Sequence, residues 1–229
     1  MKNLLASIGQ MLFPNLCVCC DGYLSQQEES ICDLCLYTLP RFELIGERDN
    51  PLAKKFWGRL NLESATAYLS YKSTNDVKKL VHELKYKGNL DLGEEMGKWL
   101  GTSLIKTGNF QNIDCVIPIP LHPARQKFRG YNQCDLLGNG LCETMKIPLL
   151  KDLVVRERYN GTQTKKKRYE RYINSKELFR VLNPEKLENK HVLLIDDVIT
   201  TGSTMESCGE VLLDVEGLKL SLASLAVAT

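Results

Sequence analysis

Residues 191–204 read HVLLIDDVITTGST. The apolar run Val192 to Ile195 leads straight into two adjacent acids, Asp196 and Asp197, and then into a loop of hydroxyl residues around one glycine. Near-continuous apolar strands belong to sheets covered on both faces, which points to a parallel α/β sheet. Ligands of such sheets bind beyond the carboxyl ends of the strands, so the strand expected over 191–196 places both acids at the binding edge. Like charges that close need a cation, sugar hydroxyls or a developing positive charge against them.

The loop supplies a second half. Ser203 followed three residues later by Glu206 is a capping-box pattern and sets a helix start near Ser203, running to about Glu216 with Gly217 as its stop. Free N–H groups at a helix start, hydroxyls, and a glycine that allows close approach make an anion cradle. Vicinal sugar hydroxyls satisfy the carboxylates and a phosphate on the same sugar satisfies the cradle. A ribose 5-phosphate therefore fits both halves. A solvated strand-end turn before a capped helix accounts for an acid pair but not for the whole string. Competing phosphate motifs are absent: no G-x-x-x-x-G-K-[ST] occurs, and Gly138-Asn139-Gly140 lacks the third glycine of a dinucleotide fingerprint.

Upstream, strands and helices alternate. A strand is expected over 65–71 and helices around Val77–Leu84 and Leu92–Leu104. A further strand over DCVIPIP opens onto the same edge, followed by a polar loop to about Gly130 and a helix from about Asn132 to Met145. In the loop IPIPLHPARQKFRGYNQ, residues 117–133, three prolines stiffen the chain while Arg125 and Arg129 offer forked hydrogen bonds suited to a pyrophosphate. Residues 156–174, RERYNGTQTKKKRYERYIN, form a basic arm. Arg156, Arg158, Lys165, Lys166, Lys167 and Arg168 can close over pyrophosphate or follow a nucleic-acid backbone, with tyrosines available for stacking.

The N-terminal region differs. Cys17-Val-Cys19-Cys20 and Cys32-Asp-Leu-Cys35 give two C-x-x-C units whose cysteines Cys17, Cys20, Cys32 and Cys35 have the spacing of a closed, structural zinc site; Cys19 is extra. A redox pair or unrelated buried thiols is the alternative. Before it, Leu4, Leu5, Ile8, Met11 and Leu12 share one helical face, which favours a docked helix over a signal peptide. The expected organisation is 1–45 helix and ribbon, 46–61 linker, and 62–229 the α/β domain. A formal charge of +2 announces no polyanion partner for the whole surface, and no apolar run approaches the roughly 20 residues of a membrane span. The expectation is a cytoplasmic protein.

The LLIDDVITTGST string closely resembles the phosphoribosyl pyrophosphate signature of type I phosphoribosyltransferases. That resemblance implies that Asp196 and Asp197 contact the ribose hydroxyls and that Thr200, Thr201, Gly202, Ser203 and Thr204 enclose the 5-phosphate. It also implies Mg²⁺ held mostly by ligand and water. Together with FPNLCVCC…CDLC, LKYKG, IPIPLHPARQKFRGYNQ and the R-x-R arm, it resembles the ComF family, whose members join a zinc ribbon to a phosphoribosyltransferase-type domain and are linked to DNA uptake. Asn160 departs from the threonine common in that family's arm. Two functions are implied. One is a competence-associated protein that binds phosphoribosyl pyrophosphate and single-stranded DNA. The other is an active transferase for an unidentified acceptor.

Overall fold

The computed structural model describes residues 15–43, 45, 47, 49–71, 75–156 and 178–228. The N-terminal helix expected before Leu12, and the basic arm beyond Arg156 with Arg158, Lys165, Lys166, Lys167 and Arg168, lie outside the described residues.

The elements follow in the order α1 (Asp33–Thr38), α2 (Pro51–Lys54), β1 (Ser64–Tyr71), α3 (Asn75–His82), a π-turn (Glu83–Lys87), α4 (Leu90–Thr107) and β2 (Cys115–Pro118). Then come α5 (Pro123–Arg129), α6 (Gln133–Met145), β3 (Val154–Arg156), β4 (Phe179–Val181), β5 (His191–Ile199), α7 (Ser203–Leu213) and β6 (Lys219–Ala228), with a 3-10 turn at Pro184–Lys186. Four strands form one parallel sheet in the order β1-β6-β5-β2, as the apolar strands require. β3 and β4 form a separate antiparallel pair in which Arg156 lies opposite Phe179.

Side chains alternate across β5. Leu193 and Ile195 join the core under α3, α4 and α6, whereas Val192 and Leu194 join the core under α7. On the first face α4 and α6 approach closely because glycines meet backbone. A methyl group at Gly97 would overlap the Leu137 carbonyl, and one at Gly140 would overlap the Glu94 carbonyl. Gly140, read only as part of an incomplete fingerprint, is a packing residue.

The sheet and its loops depart from expectation in three places. β5 runs three residues past Asp196, because β6 continues to pair with it at Val198 and Ile199 after β2 has ended at Pro118. The proline-rich loop contains α5. His122 accepts from the Ala124 N–H, Pro123 occupies the first turn, where a missing N–H matters least, and Gly130 ends the helix with φ 81°. The span read as a linker contains α2, capped by Asn50, whose Oδ1 accepts from Leu52 and Ala53. Leu52 and Phe56 are fully buried there, each contributing roughly 1.5–3 kcal/mol of apolar burial.

The cysteine ribbon shares the first core rather than hanging from it: Cys17, Cys19, Ile31 and Leu39 are buried against α3 and α4 residues. Arg41 donates to the Leu36 carbonyl and lies 4.2 Å from the centre of the Tyr68 ring, while its backbone bridges Leu69 of β1. Among the described residues no helix is long and apolar enough to cross a membrane.

Candidate functional site

Asp196 and Asp197 stand where β5 has lost its β2 neighbour, so the two carboxylates emerge beside the gap at the sheet's carboxyl edge. Asp196 Oδ1 accepts from the Asp197 N–H at 2.8 Å and lies 3.5 Å from the Cys134 thiol. Burial, joined by the adjacent Asp197 charge, pushes the Asp196 carboxyl up to about 7. Asp197 is almost fully buried, and its Oδ2 lies 2.9 Å from the Lys85 ammonium without hydrogen-bond alignment. The cation required by the acid pair is therefore Lys85, carried by the π-turn. Such local widening of a helix turn is frequent at functional sites. LKYKG was visible as a basic stretch, but nothing in its spacing ties Lys85 to a strand much later in the chain.

The loop after β5 leads into α7. Gly202 caps that helix in the left-handed region with φ 84°, and no side chain caps it. The expected capping box does not form. Ser203 instead pairs with Thr201 through their hydroxyls at 3.0 Å, and Glu206 turns to Arg59 at 2.7 Å. Thr200, Thr201 and Ser203 are exposed and Thr204 is half-buried, so this row of hydroxyls is open to a ligand, while the Ser203 N–H points to Thr201 Oγ1 at 3.4 Å.

Sequence reasoning missed what lies beneath this loop. Phe56 occupies the space against Gly202, where a Cβ would meet its ring at 2.9 Å. Lys55 Nζ donates to the carbonyls of Thr200 and Ala228, both at 2.9 Å, and so ties the loop to the end of β6. Arg59 completes the support through Glu206. The early glycine and proline made 46–60 read as a linker. Phe56 with Leu52 and Leu60 was the available signal for a packed segment.

Arg125 and Arg129 lie on one short helix, α5. Arg125 is exposed. Arg129 donates to Gln133 Oε1 and stands 5.2 Å from the Tyr86 ring centre. Arg156, where the basic arm leaves β3, lies 5.3 Å from the Phe179 ring centre, and its Nε is buried without a hydrogen-bond partner among the described residues. Burial lowers the Arg156 guanidinium below its ordinary value, as does repulsion from Arg125, while attraction to Asp196 opposes them. Arg125, Arg156 and Asp196 therefore share one electrostatic neighbourhood. The acid pair offers hard carboxylate oxygens, one of them on a group whose charge is disfavoured by burial, and such a donor set fits a divalent cation.

The sulfurs of Cys17, Cys20, Cys32 and Cys35 all lie within 4.8 Å of one another. Cys20 and Cys32 are 3.9 Å apart, close to the ~3.8 Å edge of a tetrahedron with 2.3 Å metal–sulfur bonds and far from a disulfide. The Cys32 N–H points to Cys17 Sγ at 3.4 Å and the Cys35 N–H to Cys32 Sγ at 3.5 Å. Burial opposes the Cys17 thiolate, but backbone donors from Cys32, Cys20 and Cys19 outweigh it and bring that thiol down to about 7. The cluster fits a metal ion. Cys19 is outside it, buried in the core with its carbonyl held by Lys79.

Fold and acid–hydroxyl edge define a phosphoribosyltransferase-like α/β domain joined to a four-cysteine module. The family described as "Phosphoribosyl transferase domain" matches residues 133–228. Competence protein F of Haemophilus influenzae is 30% identical over 190 residues, 79% of this chain and 71% of that protein. DNA utilization protein YhgH of Shigella flexneri is 31% identical over 58% of this chain, and Competence protein ComFC of Bacillus subtilis 28% identical over 67% of it. In each of these two the match spans 60% of the relative. The chain belongs to the ComF family.

Proposed function

We propose that the protein binds phosphoribosyl pyrophosphate with Mg²⁺ at the β5 edge and acts in DNA uptake from the cytoplasm, contacting single-stranded DNA. The observation that carries this reading is the acid pair, with Asp197 held by Lys85, followed by a row of exposed hydroxyls at the start of α7. In this reading Asp196 and Asp197 accept from the ribose hydroxyls, and Thr200 to Thr204 enclose the 5-phosphate. Arg125 and Arg129 serve the pyrophosphate, and Mg²⁺ supplies charge neutralisation between sugar and pyrophosphate oxygens. Zinc in the cysteine cluster is structural, because four protein ligands leave no open position. The arm from Arg156 through Arg168 serves pyrophosphate or the nucleic-acid backbone.

The test is a gene deletion scored for transformation in a competent host and complemented with wild type or with Asp196→Asn/Asp197→Asn. The reading expects wild type to restore uptake and the double variant to fail at equal protein level. Equal restoration by both would remove the phosphoribosyl site from the function. Binding to single strands should be salt-sensitive, with a log–log slope of about −3.5 for roughly five neutralised phosphates.

A further inference from the structure

We propose that the cleft between the cysteine ribbon and the π-turn is a second binding site, one that takes a nucleobase together with a neighbouring phosphate. The cleft has a volume of about 740 Å³ and runs from Val18 and Asp21 of the ribbon, past Tyr71 at the end of β1, to the residues of α3 and the π-turn. Small-molecule sites occupy roughly 300–1,000 Å³, so it is large enough for a base with its sugar and phosphate.

Its lining has the two components such a ligand requires. Tyr71, His82 and Tyr86 supply rings. Tyr86 is 59% exposed, so its ring face is accessible, and the His82 ring lies 5.1 Å from it at an interplanar angle of 46°. Bases of any identity stack on such side chains. Four lysines line the cleft against two acids, Asp21 and Glu83. Lys79 lies 4.0 Å from Asp21 and Lys87 4.0 Å from Glu83, while Lys85 is matched by Asp197 outside the cleft. Lys78 has no ion pair among the described residues and supplies the unmatched charge for a phosphate.

Position gives the cleft its meaning. Lys85 lines it and also pairs with Asp197, and Tyr86 beside it sits against Arg129 of α5. An occupant of the cleft is thus one lysine side chain away from the acids that hold the ribose in the reading above, and the assignment of its role rests on that reading. The ligand chemistry, a base with an adjacent phosphate, has two sources: a nucleotide unit within a single strand, or a free base-bearing small molecule.

The experiment titrates the full chain with the dinucleotide d(TpT) and with a thymidine decamer. Both lack a terminal phosphate, so neither presents a phosphomonoester to the loop at 200–204. Wild type should bind the dinucleotide, Tyr86→Leu should weaken it about tenfold, within the range of one lost stacking contact, and Lys78→Glu should weaken it by charge reversal. Melting temperatures of both variants should stay near wild type, because both positions are exposed. A decamer bound far more tightly than the dinucleotide makes a strand the occupant, and equal binding makes it a small ligand; each result supports the site. The proposal is overturned if wild type does not bind the dinucleotide. It is also overturned if decamer binding survives both cleft variants and is lost in Lys165→Ala/Lys166→Ala/Lys167→Ala. Phosphoribosyl pyrophosphate is titrated separately. A chain that binds d(TpT) but not phosphoribosyl pyrophosphate keeps the cleft and loses the ribose reading, and the reverse result loses the cleft alone.

Discussion

At the scale of single residues, Asp196 and Asp197 have the same chemistry and different partners. Lys85 neutralises Asp197, so Lys85→Met leaves a buried charge without a counterion. Truncating one member of a buried pair costs about 3–5 kcal/mol, and the 23% exposure of the Lys85 side chain places this one near the lower end. Denaturant melts should show that loss, and Lys85→Met/Asp197→Asn should recover much of it. Asp196 predicts a pH dependence. Its folded carboxyl titrates at about 7 against 3.8 ordinarily, so between those values the folded chain holds a proton the unfolded chain has released. Stability should therefore fall as pH rises from about 4 to 7 and level off above, and Asp196→Asn should flatten the curve in melts across that range. The acids themselves were legible in HVLLIDDVITTGST. Lys85 was not, because an ion pair between distant segments leaves no local pattern.

At the scale of elements, the loop between β5 and α7 is held from below. Arg59, Lys55 and Phe56 of the segment after α2 converge on residues 200–206, and the loop's shape depends on them more than on a capping box. Arg59→Glu should weaken phosphoribosyl pyrophosphate binding several-fold in calorimetric titration, and Arg59→Glu/Glu206→Arg should restore it. No restoration would mean the pair does not position the loop. The contrast between Ser203 and Gly202 shows why the cap was misread. A motif predicts a hydrogen bond only if the backbone reaches it in the extended region, and the left-handed Gly202 takes the cap position itself. The α5 helix was hidden in the same way, since three prolines signal rigidity without saying that one of them opens a helix. The alternating order of strands and helices was legible because burial on both faces enforces apolar runs. Gly140→Ala should separate α4 from α6 and cost about 1–3 kcal/mol, read as a lower denaturation midpoint.

At the scale of the whole molecule, the cysteine module and the α/β domain share a core. Cys17 and Cys19 pack with residues of α3 and α4, so loss of metal should be felt far from the ribbon. Chelation should lower the melting temperature of the entire chain in one transition rather than release a separate unit. The same junction forms the cleft lined by Lys85, the lysine that pairs with Asp197. The cysteine spacing made the four-cysteine cluster legible. The docking of the ribbon was not, because Lys79, Arg41 and Tyr68 are ordinary residues until the chain brings them together.

The central claim is that the β5 edge holds a phosphoribosyl group, and calorimetric titration of phosphoribosyl pyrophosphate with and without Mg²⁺ tests it most directly. The account predicts one site per chain, dependence on Mg²⁺, weaker binding as pH falls below about 7, and loss of binding in folded Asp196→Asn/Asp197→Asn. Affinity unchanged in that folded double variant, or no binding by the wild-type protein, would contradict it.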